Sequence, residues 1–575
     1  MQQLFKQKLT TMKTILHHSI LICLGLCILS SARATHRENL STRIDSLVSL
    51  QHNEGEPGGV IVVLQGEKIL HKQTYGLMNM EQGKAISTYT QFDIASVAKQ
   101  FTGYAILLLE KEGLLDLDAD IRLYLPYLPE YPNTITVRHL LQHTSGIASS
   151  DWLRLISGIP LDQEWNHHDE IALIAQYPQL NFDPNSTYTY SNAGYSLLAS
   201  IVESVSGSSF ADYLRQKVFR PLHMTSSFVL LPDTEITPDI ALGYRKTPNG
   251  FEHFSSVTDF SYGSGNLLTT AADMILWGKH LMDPAPAQKE LVERMFHRYN
   301  TLTSGDSLHY TYGLQVRNHL GLKMVEHSGG VPGFRNQFMI FPEHQTLIIL
   351  MFNNESINTR SIALAITQMV LGENMKPQDP PQAPVEISLP LESIQRFQGT
   401  FRMEDGMEMT FTVAEDLFWL ELPGNQRFQL FAQSETRFFV KEFAAACSFV
   451  INASGDADQM IWHQSGRDFP AIRTQETEPL SIDQLTLYTG NYRQIYLCTD
   501  YPVQILEKEL IILLPETFNT YLGFGKLKLN HIRNDSFASD YLGMIHFTRD
   551  DSGQVDGFVI ADAGRMKNIT FNRTD

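Results

Sequence analysis

The chain has 575 residues, with 44 Lys and Arg against 63 Asp and Glu, a formal charge of -19, and 43% hydrophobic residues. So acidic a chain, with no basic block, lacks the clustered cations that a phosphate backbone requires, which sets nucleic acid aside as a partner. Its length exceeds what one hydrophobic core organises and predicts about three or four domains.

From Met12 the sequence reads MKTILHHSILICLGLCILSSARA, with Lys13 ahead of an apolar stretch from Ile15 to Leu29 and the small-residue site Ala32-Arg33-Ala34. That pattern predicts a signal peptide over residues 1–34 and an exported protein, periplasmic or extracellular after cleavage near Ala34. Two of the 4 cysteines would leave with it, so the mature chain keeps Cys447 and Cys498. Paired in an oxidising compartment, they would close a loop of ~50 residues worth roughly 4 kcal/mol.

Residues 59–76, GVIVVLQGEKILHKQTYG, read as a hairpin turning at Gln65-Gly66-Glu67. Helical patterns follow over Ser96–Leu115, Tyr195–Lys217 and Thr270–Leu281, the last with Thr269 or Thr270 as N-cap. Strands return in QFMIFPEHQTLIILMFNN. Strands at both ends with helices between predict an α+β domain whose sheet is completed by its two termini, spanning residues 35–375. KPQDPPQAP, residues 376–384, is a stiff linker. Beyond it the chain repeats itself. FQGTF at Phe397 answers YTGNY at Tyr488, and INASGDADQMIWHQSGR answers FTRDDSGQVDGFVIADAGR. Two small antiparallel β-barrel-like domains, 385–478 and 479–575, are expected.

Three motifs carry chemistry. In DIASVAKQF, Ser96 precedes Lys99 by one helical turn, so hydroxyl and amine share a face. TYTYSNAGY places Tyr190 and Asn192 before a helix, and EHSGGVPGF places His327, Ser328 and two glycines on a strand or its turn. Ser96 would attack a carbonyl and form an acyl-enzyme, with Lys99 as the nearest base once its pKa is lowered. Lys99 and Tyr190 are expected to share the proton as a pair. NHHDE at Asn166 reads as a solvated loop rather than a metal site, and His143 as structural. No dinucleotide or phosphate-binding loop stands out, and no cofactor is expected.

In that order these motifs resemble the serine hydrolases of the class C β-lactamase and DD-peptidase fold, over about Ser41 to Gly372. TVRHLLQHTSGI from Thr136, RPLHMTSS from Arg220 and GNLLTTAADMILW from Gly265 are similar to the family's connecting segments. The tail resembles the C-terminal barrels of D-aminopeptidases. The resemblance implies that Tyr190 protonates the leaving group and assists water in deacylation, and that Asn192 holds the substrate's amide oxygen. It also implies an oxyanion hole from the backbone N–H groups of Ser96 and Gly330, with His327 orienting substrate and Ser328 donating to a substrate carboxylate. The family's third-motif lysine is His327 here, as in its DD-peptidase, D-aminopeptidase and esterase branches. A mostly neutral histidine grips a carboxylate less than lysine would, and Arg335 could restore attraction if it reaches the cleft. The function expected is hydrolysis of a small peptide, amide or ester, cell-wall derived in one reading. Its alternatives are a β-lactamase, a penicillin-binding sensor with little turnover, or a tail that binds glycan or peptide. A chain ending at Met375 would keep every candidate residue.

Overall fold

The computed structural model describes residues 39–575 except 161–162, 235–236, 255–258, 298–300, 377–383, 404–406, 423–425, 453–454, 465–466, 475–479 and 564. The leader over 1–34, and the linker apart from Lys376 and Pro384, lie outside the described residues. The chain divides into two compact units, one joining Ile44–Pro381 to Glu476–Asp575 and the other containing Gln382–Gln475.

In chain order the larger unit runs from the helix that ends at Val48 into β1 (Gly59–Gln65) and β2 (Lys68–Tyr75). It continues through α1 (Lys99–Lys111), α2 (Ser150–Ser157), α3 (His167–Gln176), α4 (Asn192–Ser206) and α5 (Ala271–Met282). It returns with β3 (Gln315–His319), β4 (Leu322–Val331), β5 (Phe334–Phe341), β6 (Thr346–Phe352) and α6 (Thr359–Leu371). The six strands form one antiparallel sheet in the order β3-β4-β5-β6-β1-β2, with Val62 of β1 facing Ile349 of β6. First and last strands of the domain therefore pair, as the positions of the two β-rich ends predict. Apart from Gln65, β1 is buried along its whole length, as expected of a strand covered on both faces. Helix α1 is apolar on nearly every side and runs through the core, so Lys99, its first residue, is fully buried.

Two expectations need correction. The helix read over Tyr195–Lys217 is broken: Gly207 ends α4 in the left-handed region at φ 68°, and Ser209 then caps a separate short helix, Phe210–Leu214. NHHDE is not a solvated loop but the start of α3. Asn166 is the N-cap, its side chain accepting from the N–H groups of His168 (2.9 Å) and Asp169 (3.1 Å), while Asp169 accepts from the Asn166 N–H. The N-x-x-D spacing was the readable signal. His167 and Glu170 consequently turn inward; His167 Nε2 lies 2.9 Å from Ser200 Oγ and its ring stacks on Tyr262.

Glu170 is buried, accepts from the Ser150 hydroxyl, and is pushed up to about 7, chiefly by desolvation. Between about pH 4.5 and 7 the native state thus holds a proton that the unfolded chain has lost, so stability falls as pH rises through that window. The full effect is about 3 kcal/mol. Glu170→Gln should lose this slope, and denaturant unfolding at pH 5 and 8 measures it. An unchanged wild-type-minus-variant difference between the two pH values would refute it.

The two repeats differ in how they are built. Strands from Gly399–Met403 to Arg467–Arg473 form an eight-stranded closed barrel, each pairing with the next and the first with the last. Its interior is filled by Phe397, Phe401, Phe411, Phe418, Phe438 and Phe449, as a barrel of this size allows. The second repeat is a nine-stranded sheet whose edge strands, Lys526–Lys528 and Asn530–Arg533, are consecutive in sequence, so the chain itself bridges the gap between its edges. Cys447 is buried in the first barrel and Cys498 is exposed on the second repeat; both are free thiols.

The second repeat shares one continuous apolar core with the domain of α1. It also completes α2. The final carbonyls of a helix lack intrahelical partners. Here Thr517 donates to Leu155 O (2.9 Å), Tyr501 to Ile156 O (3.0 Å) and Thr499 to Ser157 O (3.0 Å). Gly158, at φ 75°, turns the chain away beneath Pro515.

Candidate active site

The site begins where the strand Phe92–Asp93 turns into α1. Asp93 Oδ1 accepts from the Ala95 N–H at 2.7 Å and holds Ala95 at φ 50°, a region costly for any residue with a side chain. The tight turn Ala95–Ala98 then presents Ser96, and α1 follows from Lys99. Desolvation pushes Asp93 up to about 6 despite that N–H.

Lys99 Nζ lies 3.1 Å from Ser96 Oγ, 2.9 Å from Asn192 Oδ1 and 2.6 Å from Ser264 O. Burial holds Lys99 well below the ordinary lysine value, and the positive charge of Arg565 adds to the shift against the opposing pull of Asp151 and Glu170. A neutral amine has two N–H bonds and one lone pair. In that neutral form, with Asn192 Oδ1 and the Ser264 carbonyl taking the two donors, the lone pair is left for the Ser96 hydroxyl.

The Tyr190 ring centre lies 4.9 Å from Lys99 Nζ. Burial raises its phenol above the usual tyrosine value, with the Ser96 hydroxyl opposing the shift. It is therefore a protonated phenol at neutral pH. His143, buried and held neutral by desolvation, packs against the Tyr190 ring at 4.2 Å. Its Nδ1 accepts from the Ser191 N–H at 3.1 Å, fixing the turn that delivers Tyr190 and Asn192 to the start of α4. That is the structural role expected of it.

The third motif lies on β4, inside a strand rather than in a turn. β3 pairs with β4 only as far as Glu326, which leaves the edge from His327 to Val331 facing the nucleophile turn. A Cβ at Gly329 would come within 2.2 Å of Ile94 O, so the glycine permits this approach. Ser328 and Gly330 are exposed, whereas His327 and Gly329 point inward. His327 Nδ1 donates to the Ser328 carbonyl (2.6 Å), so its Nε2 accepts from Tyr310 Oη (2.8 Å). Desolvation, then the Lys99 charge, push it down to about 3. His327 is a neutral ring with both nitrogens engaged.

Arg335 does not reach the cleft: its Nη1 donates to Val331 O and Phe334 O, within its own hairpin. Four contributors escaped the sequence reading, namely Asp93, the Ser264 carbonyl, Tyr310 and Arg565. Backbone oxygens carry no residue signature, and Tyr310 lies outside the three motifs. Arg565 ends the repeated segment FTRDDSGQVDGFVIADAGR, which predicts a hairpin there but not its position. Its guanidinium is 5.2 Å from the Tyr190 ring centre.

A serine hydroxyl facing a buried amine, beneath an open strand edge, on a sheet whose first and last strands pair, defines a serine hydrolase. The Beta-lactamase family profile matches residues 44–368, and the chain belongs to that family. A second profile, a domain of unknown function termed DUF3471, matches residues 383–479 and coincides with the closed barrel. Over 466 residues the chain is 26% identical to penicillin-binding protein 4* of Bacillus subtilis, covering 76% of this chain and all of that protein. It is 26% identical to a D-aminopeptidase of Gluconobacter oxydans, over 61% of this chain and 66% of that protein. The octameric penicillin-binding protein homologue of Pyrococcus abyssi shares the fold, with a TM-score of 0.52 and 23% identity over 75% of this chain and 99% of that one.

Proposed function

We propose that this hydrolase, once exported, cleaves an amide or ester bond in a small peptide through a Ser96 acyl-enzyme, with peptides containing D-amino acids as the substrate class. The observation that carries the chemistry is the Lys99 amine, 3.1 Å from Ser96 Oγ with its other contacts taken by Asn192 and Ser264. The likeness to a D-aminopeptidase supports the substrate class.

In the first half-reaction Ser96 Oγ bonds to the substrate carbonyl carbon while its proton passes to Lys99 Nζ. The oxyanion accepts from the backbone N–H groups of Ser96 and Gly330. Collapse breaks the bond to the leaving amine or alcohol, which takes a proton from Tyr190; Lys99 returns one to the phenolate. In the second half-reaction water gives its proton to the same pair and attacks the acyl carbon, and Ser96 leaves as a hydroxyl. Asn192 Nδ2 holds the substrate's amide oxygen and Ser328 offers a donor from the exposed face of β4, whereas His327, buried with both ring nitrogens engaged, braces the strand instead of touching substrate as the resemblance implies.

A fluorophosphonate should label Ser96 alone, and Ser96→Ala should abolish the label. The enzyme should then turn over a member of a panel of D-amino-acid amides, short-chain esters and a chromogenic cephalosporin. Label on another serine would overturn the assignment. Labelling without turnover of any panel member would replace a hydrolytic role with that of an acylated sensor.

A further inference from the structure

Arg565 occupies the turn between the strands Val555–Ala563 and Met566–Arg573 of the second repeat. A single side chain fixes that turn to the catalytic half: Asn181 Nδ2 donates to the Arg565 carbonyl, and Asn181 Oδ1 accepts from the Lys567 N–H, both at 2.9 Å. Asn181 is itself buried, its own N–H donating to Gly146 O at 2.7 Å. The backbone of Arg565 is therefore set by two bonds before its side chain makes any.

The side chain is 42% exposed, its Nη1 is 3.6 Å from Asp151 Oδ2, and its planar head lies beside the Tyr190 ring. At that separation Asp151 aims the guanidinium without occupying its fork of donors, which matches a carboxylate in two-point geometry. Nearby cations are committed elsewhere. Arg335 is bound to its own hairpin, and Arg317 donates to Gln315 Oε1 and lies 3.7 Å from Glu326. His327 is neutral.

We propose that Arg565 is a specificity-determining residue that binds a carboxylate on the departing half of the substrate. The side of the scissile bond is assigned from Tyr190: the guanidinium lies 5.2 Å from the ring centre of the residue that protonates the leaving group, so a carboxylate seated there is assigned to that half. The inference rests on the acyl-enzyme reading above and deepens it, because the favoured substrate then releases an anionic amino acid or hydroxy acid. It also makes substrate choice a property of the second repeat.

The test uses the full-length protein and matched N-acyl dipeptides ending in a carboxylate or in a carboxamide, with a third carrying the carboxylate on the acyl half. Wild type should favour the terminal carboxylate in kcat/KM, and raised ionic strength should shrink that preference. Arg565→Gln should cut the preference at least ~10-fold, mainly through KM, and Arg565→Lys should retain part of it. The acyl-half carboxylate should show no such dependence. A preference unchanged in Arg565→Gln, or insensitive to salt in wild type, overturns the inference. Fluorophosphonate labelling run beside it separates the two readings: failure to label wild-type Ser96 overturns the hydrolase mechanism, whereas normal labelling with an unchanged preference overturns the role of Arg565 alone.

Discussion

Lys99→Met should lower the acylation rate of Ser96 by about 10²–10⁴-fold, the range expected when a positioned proton acceptor is lost. Methionine fills much of the buried volume, so the loss falls on chemistry rather than folding. Tyr190→Phe removes only the phenolic oxygen and should cost a similar factor. Because both act on one proton, the double variant should be little slower than the worse single one. Stopped-flow acylation by an activated ester measures all four proteins, and losses that multiply cleanly would mean that the two groups act independently. The pH profile adds a signature. Since burial holds Lys99 below its ordinary value, wild-type acylation should rise with pH as the remaining ammonium deprotonates. That limb should be missing from Lys99→Met.

Ending the chain after residue 475 should destroy the catalytic unit, whereas excising 382–475 and rejoining the ends should leave Ser96 open to labelling. Loss of the second repeat strips the Leu155, Ile156 and Ser157 carbonyls of their hydroxyl partners and opens the shared core. Each core side chain left exposed forfeits about 1.5–3 kcal/mol. A handful together rival the ~5–15 kcal/mol that holds a typical domain folded. The excised segment is a barrel with its own aromatic interior. Thermal unfolding with Ser96 labelling decides the matter. A folded, labelled chain ending at 475 would show that the second repeat is dispensable. The sequence alone suggests that Met375 is a safe end, because every motif precedes it; the distribution of the core moves that limit.

What the sequence disclosed was local or periodic. Ser96 and Lys99 are one turn apart, so their meeting is a property of helix geometry. The hairpin of β1 and β2 and the strands β5 and β6 are read from apolar runs and turns. Contacts made across the chain are a different matter. Nothing near Glu170 says that it is buried among serines, though the N-x-x-D cap that turns it inward is visible. Gly207 breaks a helix whose apolar pattern continues past it, because the left-handed cap prevails over side-chain pattern. The two tail repeats look equivalent in sequence, and the hydroxyls that the second presents to α2, like its arginine beside Tyr190, come from residues that the repeat pattern does not mark.

The hydroxyls that finish α2 come from residues 342 to 362 positions later in the chain. A ribosome adding roughly 5–20 residues each second needs on the order of 20–70 s to cover that distance. During that interval the nucleophile, its lysine and its tyrosine have all been synthesised, while the end of α2 and the apolar surface around it stand open to water. The intervening barrel, whose strands pair only with neighbours and then close, can fold in the meantime. The catalytic unit is thus assembled in two instalments, and it becomes competent when the last hundred residues arrive.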